Sequence, residues 1–509
     1  MTMPAGMRRF LLPLALLGPL SPALAQQASP QPPPARHAPS LPASAPDQAL
    51  LGTVERVLAQ APAGTRYGLL VEALDGTELL AIAPDQRFIP ASNTKLFTTL
   101  AAQIDLASLQ AAAEGTGVRL EPVGDGRFDV ILEGRGDAGL SGAEQCASNC
   151  LATLADAVAA ATQSVRHVVG DASWYPDERW SPGMSWNNIQ ARYGAGISAL
   201  SIDDNESAVT ITPTAPGQAP AVSGNGYHTI ANRAVTNSQD KANLSTWRMP
   251  NDREVALTGT IGIAAQPATL RFGIDDPAHY AAWQLARMLE QRGVRISGAI
   301  EARHRPLSPS DDPARRGGAA APQPPAEAML AQLPPQDLTA ELHTINKVSH
   351  NVRAELLLRR VARHSGSGSL ADAEAALAAA MAQAGVPKDG YTLADGSGMS
   401  TYNRMTPRAA AALLRWAAGQ PWAETFRKTL PIGGVDGTLA RRFTGTALER
   451  KLYAKTGSLN ASRALSGYLT TTGGQTLVFS AFANDIPPGG EGAALSAMDA
   501  ALLAVAAAH

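Results

Sequence analysis

Ser92 and Lys95 stand three residues apart and could act as a nucleophile and its base. They lie in FIPASNTKLFTTLAAQI, where Pro90 ends an extended stretch and apolar residues then recur with helical spacing. A spacing of three places both side chains on one helix face, so the Lys95 amine can reach the Ser92 hydroxyl. To accept a proton near neutral pH the amine must be uncharged, and burial or a second cation nearby would lower its pKa. The pattern predicts a reactive serine, although four-residue patterns also recur by accident.

A second serine–lysine pair, Ser238 and Lys241, illustrates such an accident. It has the same spacing but lies in the polar stretch TNSQDKANLS, with no apolar helical run behind it. We therefore expect neither residue to be catalytic. Lysine is rare in this chain, with seven in all, so a lysine that falls in a motif is informative.

A second motif, Ser349-His350-Asn351, lies in LTAELHTINKVSHNVRAELLLRRVAR, residues 338–363, which has helical periodicity. The Ser349 hydroxyl could relay a proton to a leaving amine, and the Asn351 amide could hold a substrate carbonyl. Taken alone, the tripeptide also fits an ordinary polar helix face.

A third motif, Lys455-Thr456-Gly457, ends the β-like run KLYAKTGSL. A strand beside the nucleophile could pair with an extended peptide, and Gly457 would permit close approach. Lys455 and Thr456 could hold a carboxylate through charge and a hydroxyl contact. The backbone N–H groups of Ser92 and Ser458 could then form an oxyanion hole. The alternative is a plain edge strand with a solubilising lysine.

These motifs need a scaffold, and the patterns around them predict both strands and helices. Residues 67–82 predict a hairpin with its turn at Asp75-Gly76. A helix is expected over HYAAWQLARMLEQRG, and strands over ALSGYLTTT and QTLVFSAFAND. An alanine-rich helix at about 493–507 closes the chain, and its bland face fits packing on a sheet better than binding a membrane. The expected fold class is α/β (α+β).

The first 25 residues predict a signal peptide. Arg8 and Arg9 precede a short apolar run at 10–17, and Ala23-Leu24-Ala25 supplies a small-residue cleavage site. This pattern predicts export and a periplasmic location.

Two stretches rich in proline predict connections between folded parts. Residues 26–46 predict an extended linker, and residues 306–335 predict an exposed loop or domain join. Beyond the signal peptide we expect no segment long and apolar enough to cross a bilayer, so the mature protein should be soluble.

Charge and cysteine content exclude several kinds of function. A formal net charge of −2 gives no basis for binding nucleic acid or an anionic membrane. The two cysteines, Cys146 and Cys150, are too few for a metal site, and we expect neither a metal nor a cofactor. In an oxidising compartment they could form a disulfide, but two free, partly buried thiols fit the sequence equally well.

The order of the three motifs, each in its expected element, is typical of class A β-lactamases and penicillin-binding proteins. The chain resembles one family in particular, the class C low-molecular-mass penicillin-binding proteins, which are serine D-Ala–D-Ala carboxypeptidases and endopeptidases. The resemblance runs from about residue 50 to the C-terminus. It includes DASWYPDERWSPGMSWNN (171–188), NDREVALTG (251–259), LADGSGMSTYN (393–403), LPIGGVDGTLARRF (430–443) and KTGSLNASRALSGY (455–468).

The resemblance implies a division into domains. A penicillin-binding, transpeptidase-like domain, a β-sheet flanked by helices, would be built from residues 47–100 and 303–509. Two smaller, mainly β-containing nested domains would be inserted at 101–302, between the first and second motifs.

The resemblance also implies a reaction. The chain would remove the terminal D-Ala from peptidoglycan stem peptides, and could cleave their cross-links, through an acyl-enzyme on Ser92; β-lactams would acylate the same serine. Lys95 would be the general base and Ser349 the proton relay, assisted by Asn351 and Lys455. The other residues expected to contact substrate are Thr456, Gly457, Ser458, Asn460, Asn188, Tyr193 and Thr401.

Three positions depart from the family pattern. The PGWxW loop is usually followed by an Asp that helps to hold the free amino end of the substrate side chain, and Asn188 stands there in this chain. The DGSGLS motif is commonly followed by Arg, where this chain has Thr401, and the G-D-P segment reads Gly136-Asp137-Ala138. The first two departures bear on side-chain preference and leave the three motifs intact.

Two alternative functions use the same motifs. The first is a β-lactamase or esterase, but β-lactamases place the second motif far closer to the first. No residue clearly supplies a carboxylate base for rapid deacylation, so a penicillin adduct should hydrolyse slowly. The second is a penicillin-sensing cell-wall-binding protein without turnover, which intact Ser92, Lys95 and Lys455 argue against. The sequence predicts no oligomeric state.

Overall fold

The computed structural model describes residues 45–124, 126–317, 319–323 and 327–509. The predicted signal peptide and the predicted linker up to residue 44 lie outside the described residues. The first helix begins at Ala45, within the last two residues of that linker.

The described residues form helices and strands throughout. The helices are α1 (Ala45–Leu58), α2 (Thr94–Ile104), α3 (Leu106–Ala111), α4 (Leu151–Ala161), α5 (Pro277–Gln291), α6 (Pro313–Arg316), α7 (Leu338–Lys347), α8 (Asn351–Ser365), α9 (Leu370–Gln383), α10 (Pro407–Ala418), α11 (Ala423–Thr429) and α12 (Glu491–Ala508). The strands are β1 (Arg66–Ala73), β2 (Glu78–Ile82), β3 (Gly117–Pro122), β4 (Phe128–Glu133), β5 (Ser164–Val165), β6 (Val168–Pro176), β7 (Glu206–Thr212), β8 (Ala221–Gly224), β9 (Thr229–Asn232), β10 (Val235–Asn237), β11 (Ala242–Trp247), β12 (Glu254–Gly262), β13 (Ala268–Gly273), β14 (Arg295–Ile296), β15 (Ile300–Arg305), β16 (Ala331–Gln332), β17 (Tyr391–Thr392), β18 (Arg404–Met405), β19 (Leu452–Leu459), β20 (Ser462–Thr470) and β21 (Thr476–Asn484).

The central sheet has the strand order β19-β20-β21-β1-β2, with every neighbouring pair antiparallel. The predicted hairpin at 67–82 is confirmed as β1 and β2. Strand β1 pairs along its length with β21, from Arg66 opposite Asn484 to Ala73 opposite Leu477. The sheet thus joins the beginning and the end of the described chain. Within the described residues β19, which carries the third motif, forms one edge.

Both faces of the central sheet are covered by helices, and β21 shows why. Its side chains alternate, with Leu477 and Phe479 in one buried cluster and Val478 and Phe482 in another. The first cluster contains apolar side chains of α1 and α12, and the second those of α2, α9 and α10. Burial on both faces explains the almost unbroken apolar sequence of β21.

Helix α12 corrects one expectation and confirms another. Its 18 residues are long and apolar enough to cross a membrane by length and composition, contrary to the expectation that no such segment follows the signal peptide. In the structure α12 packs against α1 and the central sheet, burying Ala497, Ala501 and Leu502 among others. The predicted packing of this helix on a sheet is therefore confirmed.

The region between the first and second motifs forms further sheets. One has the order β15-β6-β4-β3-β16 and is covered by α4 and α5 over a large apolar cluster. Two smaller sheets, β10-β12-β11 with β9 beside β12 and β13-β7-β8, enclose a separate apolar cluster. Strands β15 and β16 bring residues from 303 onward into the first of these sheets. The domain boundaries implied by the resemblance stay a prediction.

The proline-rich stretch at 306–335 contains regular structure, in α6 and β16. The Asp311 side chain is fully buried, and its carboxylate accepts hydrogen bonds from Arg305 and from the backbone and hydroxyl of Ser308. Among the described residues of this stretch only Asp311 and Leu333 are buried, and the others are exposed or half-buried, which agrees with the expected exposed loop. The ion pair of Asp311 with Arg305 fixes its start to β15.

The two cysteines form a disulfide, which decides between the alternatives that the sequence left open. Cys146 and Cys150 have their Cα atoms 5.8 Å apart. Their loop is joined to Ser141 by backbone hydrogen bonds with Asn149 and Leu151, and α4 begins directly after Cys150.

The packing of α12 gives a stability prediction. Leu502→Ala should lower the free energy of unfolding by about 2–5 kcal/mol, because its fully buried side chain would leave a cavity under the sheet. The neighbouring Leu503 is only partly buried, so Leu503→Ala should cost clearly less. Urea unfolding of both variants measures the difference, and equal losses would contradict this packing of α12.

Candidate active site

Ser92 lies in a tight turn that leads directly into α2. The turn is a 3-10 helix, Ala91–Asn93, in which Ala91 has a positive φ of 47°. The apolar helix predicted behind Ser92 is confirmed, and its Leu96 and Phe97 are fully buried. Because the helix is fixed in the core while Ser92 itself is only half-buried, the serine is held rigidly at an accessible position.

Lys95 is fully buried beside Ser92. Its Nζ lies 3.0 Å from Ser92 Oγ, 2.7 Å from Asn351 Oδ1 and 2.5 Å from the carbonyl oxygen of Ser397. Burial lowers the pKa of Lys95 to about 7, against the opposing charges of Asp395 and Glu355. The amine is therefore available in its neutral form near neutral pH.

Lys455 is a second fully buried lysine, on the edge strand β19. Its Nζ donates hydrogen bonds to Ser349 Oγ at 2.8 Å and to the carbonyl oxygen of Thr456 at 3.0 Å. Burial, and then the charge of Lys95, hold the pKa of Lys455 well below its usual value. The structure thus brings together the lysines and serines of all three motifs.

The edge strand β19 is fixed directly against the turn that carries the nucleophile. The Asn93 side-chain amide donates to the Lys455 carbonyl at 3.0 Å. At Gly457 a Cβ atom would come within 2.6 Å of the Pro90 carbonyl oxygen, so the glycine lets β19 lie close to this turn. The approach of a substrate at Gly457 stays a prediction.

The second motif lies at a break between two helices, which corrects the prediction that it lies inside one helical segment. Helix α7 ends at Lys347 and α8 begins at Asn351. Ser349 has a φ of 61°, and the His350 side chain caps α8 by accepting a hydrogen bond from the backbone N–H of Arg353. Helical periodicity on both sides concealed the break, because the apolar spacing continues across it.

Asn351 is the first residue of α8, and both the oxygen and the nitrogen of its side-chain amide form hydrogen bonds. Its Oδ1 accepts from Lys95, and its Nδ2 donates to the carbonyl oxygen of Tyr193 at 2.9 Å. The Tyr193 side chain itself is half exposed.

Sequence reasoning missed two carboxylates beneath the site, Glu355 and Asp395. Glu355 accepts hydrogen bonds from the backbone N–H groups of Gly396 and Ser397, and Asp395 accepts from those of Gly398 and Ser400. Together they shape the loop 395–400 that supplies the Ser397 carbonyl to Lys95. Burial, and then the charge of Asp395, raise the pKa of Glu355 to about 7.

A sequence signal for these two residues existed. Glu355 follows Asn351 by four positions, so the two share a helix face. Asp395 lies within LADGSGMSTYN, one of the stretches that carry the family resemblance.

Thr438 is a further residue that the sequence analysis did not single out. Its hydroxyl lies 2.7 Å from the hydroxyl of Thr456, next to Lys455. The loop that carries Thr438 is held by Asp436, whose carboxylate accepts from Lys347 Nζ at 2.7 and 2.6 Å. Thr438 belongs to LPIGGVDGTLARRF, which was noted only as part of the resemblance.

The remaining predicted residues lie at the margins of this cluster. Thr401 donates through both its backbone N–H and its hydroxyl to the Gly183 carbonyl, each at 3.0 Å. Ser458 is exposed on β19, and Asn460 is exposed in the turn between β19 and β20 with a φ of 39°. No described contact links Asn460 to Ser92 or Lys95.

Asn188 has an unexpected environment for a residue predicted to meet substrate. Its side chain is buried, and its Nδ2 has no hydrogen-bond partner among the described residues. Its neighbour Asn187 is exposed instead. The contact predicted for Asn188 therefore stays a prediction.

The rejected pair, Ser238 and Lys241, lies in exposed bends between β10 and β11. Lys95 is fully buried, whereas Lys241 is exposed. Lys241 therefore lacks the buried environment of Lys95.

The fold and the cluster of Ser92, Lys95, Ser349 and Lys455 define a serine hydrolase of the penicillin-interacting type. A model of the D-Ala-D-Ala carboxypeptidase 3 (S13) family matches residues 50–507, and the chain belongs to this family. The family resemblance stated from the motifs is confirmed.

Named relatives cover most of the chain. A D-alanyl-D-alanine carboxypeptidase of Actinomadura sp. (strain R39) is 32% identical over 488 residues, covering 92% of this chain and 84% of that relative. The D-alanyl-D-alanine carboxypeptidase DacB of Haemophilus influenzae is 24% identical over 450 residues, covering 84% of this chain and 87% of that relative.

A solved structure shows the same fold. Penicillin-binding protein 4 of Haemophilus influenzae matches with a TM-score of 0.71 and 21% identity, covering 88% of this chain and 98% of that chain. A second structure of that protein, in complex with a β-lactam, matches with a TM-score of 0.66, 20% identity and the same coverage. The predicted fold class is confirmed.

Gly398 gives a prediction about the support of the nucleophile. A Cβ atom there would overlap the carbonyl oxygen of Ala91, next to Ser92. Gly474 has nearly the same φ, 88° against 89°, but no neighbouring atom within 4 Å of an added Cβ. Gly474→Ala should therefore cost only the backbone strain of roughly 1–2 kcal/mol, and Gly398→Ala distinctly more. Unfolding measurements on both variants test this, and equal costs would contradict the predicted overlap.

Proposed function

We propose that this chain is a serine D-Ala–D-Ala carboxypeptidase that forms an acyl-enzyme on Ser92. The observation that carries the proposal is the buried Lys95 amine, 3.0 Å from Ser92 Oγ, with its pKa lowered to about 7. A lysine in this state can accept a proton from the serine hydroxyl under physiological conditions. The family membership supports peptidoglycan stem peptides as the substrate.

In the first step, Lys95 acts as the base. A neutral amine has two hydrogens and one lone pair, and two acceptors, Asn351 Oδ1 and the Ser397 carbonyl, lie 2.7 and 2.5 Å away. If they take the two hydrogens, the lone pair faces Ser92 Oγ. Ser92 then loses its proton to Lys95 as its oxygen bonds to the carbonyl carbon of the penultimate D-Ala.

In the second step, the C–N bond breaks and the terminal D-Ala leaves. Its nitrogen needs a proton, and Ser349 Oγ can deliver one because Lys455 Nζ, 2.8 Å away, can replace it. Water then attacks the ester and gives a proton through Ser349 to Lys455, while Lys95 returns its proton to the departing Ser92 oxygen, 3.0 Å away. This releases the shortened peptide and restores Ser92 and both lysines.

The carboxylate of the terminal D-Ala is assigned to Lys455, Thr456 and Thr438. The two threonine hydroxyls lie 2.7 Å from each other, and the buried Lys455 amine donates to the Thr456 carbonyl at 3.0 Å. An arriving carboxylate would favour the charged form of Lys455, whose pKa is low in the free enzyme. Charge and hydrogen bonds would then recognise a free C-terminus together.

The rest of the substrate is assigned to the edge of the sheet. The exposed edge of β19 could pair with an extended peptide, with Gly457 permitting its approach. We assign the oxyanion hole to the backbone N–H groups of Ser92 and Ser458. Asn351 would hold a peptide carbonyl. Contacts to the peptide side chain are proposed for Tyr193, Asn188, Thr401 and Asn460.

We propose that β-lactams acylate Ser92 and that the resulting acyl-enzyme hydrolyses slowly. A carboxylate that is free to activate water would favour rapid deacylation. Glu355 and Asp395, the carboxylates described beneath the site, both accept hydrogen bonds from the backbone of loop 395–400. This engagement supports a peptidase with β-lactam inhibitors rather than a β-lactamase.

The proposed cellular location is the periplasm. The basic, apolar and small-residue pattern at 1–25 supports export through a signal peptide. Cleavage of D-Ala cross-links is proposed as a second activity on the same stem peptides.

Ser92→Ala should abolish both penicillin labelling and D-Ala release while leaving the fold intact, because only a hydroxyl is removed. Labelling with a fluorescent penicillin and release of D-Ala from a stem pentapeptide measure the two activities. Ser238→Ala is the matched control and should leave both unchanged. A covalent adduct on the Ser92→Ala protein would refute this nucleophile.

Acylation should accelerate as pH rises and level off above about pH 7, because protonated Lys95 cannot accept the Ser92 proton. The rate constant for penicillin acylation, measured between about pH 5 and pH 9, shows the inflection. Glu355→Gln should move it to lower pH, because the Glu355 charge raises the pKa of Lys95. A rate that is independent of pH in wild type would contradict Lys95 as the base.

A further inference from the structure

We propose that Asp204, in the region between the first two motifs, is a positioning residue for the turn that carries Ser349 and Asn351. It touches neither of these two residues and would act through His350, the middle residue of the motif. The inference deepens the proposed function and rests on it.

Asp204 contacts the start of α8 at two points. Its Oδ1 accepts a hydrogen bond from Arg353 Nε at 2.8 Å, and its Oδ2 lies 3.3 Å from His350 Nε2. Burial raises the pKa of the Asp204 carboxyl, but the hydrogen bond with His350 and the charge and hydrogen bond of Arg353 outweigh it and hold the pKa below its usual value. Asp204 is therefore a carboxylate at neutral pH.

The two ring nitrogens of His350 have different hydrogen-bonding roles. Nδ1 accepts the hydrogen bond from the Arg353 backbone N–H that caps α8, at 3.4 Å. A neutral imidazole that accepts at Nδ1 carries its hydrogen on Nε2, which is the nitrogen that faces Asp204. The carboxylate therefore selects the tautomer that caps the helix.

The turn needs such an anchor. Ser349, a residue with a Cβ atom, adopts a φ of 61°, in the region that favours glycine. The residues on either side of His350 make the contacts on which the proposed reaction depends, Ser349 to Lys455 at 2.8 Å and Asn351 to Lys95 at 2.7 Å. Relaxation of the backbone at this turn would change both distances together.

Asp204 is itself presented by a turn that its surroundings fix. Asp203, Asp204 and Asn205 all have positive φ, between 50° and 56°. The Asp203 carboxylate accepts from the Gly142 backbone at 2.9 Å and from Gln284 at 2.8 Å. Fully buried Asn205 donates to the Gly196 carbonyl at 2.9 Å. Three successive residues thus have strained backbone conformations, and each of their side chains makes a contact. Such strain is typical of a turn with a functional role, here to present the Asp204 carboxylate.

A merely structural ion pair would predict a different result from a positioning residue. Loss of a structural pair lowers stability and leaves the chemical step of the folded enzyme intact. Loss of a positioning residue slows acylation by folded enzyme while initial binding stays nearly unchanged.

The test separates binding from chemistry during acylation by a chromogenic β-lactam, using full-length protein. Asp204→Ala should slow the acylation rate constant by about tenfold to a hundredfold, with the initial dissociation constant changed less than about threefold. His350→Ala should have a similar effect, and the double variant should be no slower than either single one, because both changes break the same contact. Asp204→Asn, which keeps an acceptor for His350, should restore part of the rate.

The controls distinguish failure of this inference from failure of the proposed function. Asp240→Ala changes an exposed carboxylate in the same region and should acylate like wild type. If wild type itself is not acylated, the proposed function fails. If wild type is acylated and Asp204→Ala keeps its rate, or if the two single effects multiply in the double variant, the positioning role is overturned. If Asp204→Ala does not fold, the acylation rate constants of Asp204→Asn and His350→Ala are compared with that of wild type instead.

Discussion

Two lysine amines are buried in one site, and the polar groups around them are positioned by contacts with these amines. A buried ammonium group loses several kcal/mol of solvation, so burial lowers the pKa of both Lys95 and Lys455. Polar groups replace the lost water, namely the Asn351 amide, the Ser349 hydroxyl and backbone carbonyls. These groups come from the break before α8, the loop 395–400 and β19, so contacts to the two amines hold the break and the loop in place beside α2 and β19.

The carboxylates beneath the site act through the backbone. Glu355 and Asp395 accept hydrogen bonds from the N–H groups of loop 395–400, and this places the Ser397 carbonyl at Lys95. Their charges raise the pKa of Lys95, whereas burial lowers it by more. The value near neutrality is therefore a balance between burial and the charges of these two carboxylates.

The sequence revealed those parts of the site whose geometry is local. The spacing of Ser92 and Lys95 places them on one helix face in any α-helix, and the short apolar runs of β1, β2 and β21 predict strands. The break at Ser349 could not be predicted, because the cap on α8 is a histidine and the residue with positive φ is a serine, neither of which is a usual signal. The buried position of Asn188 and the contact of Thr438 with Thr456 depend on how distant segments pack, which local spacing does not encode. The disulfide depended on a distance between Cα atoms that a separation of four residues does not fix.

The pairing of β1 with β21 has a consequence for how the enzyme becomes active. Arg66 contacts Asp485, 419 residues later in the chain. A contact between residues so far apart in sequence forms slowly, because the intervening chain loses conformational entropy before the strand pairing stabilises the fold. During synthesis the nucleophile helix emerges early, but β1, which also pairs with β2, lacks its second partner strand until residues 476–484 have been made. The central sheet is thus completed late, and a chain cut short before β21 has Ser92 but lacks the strand that joins β1 to β20.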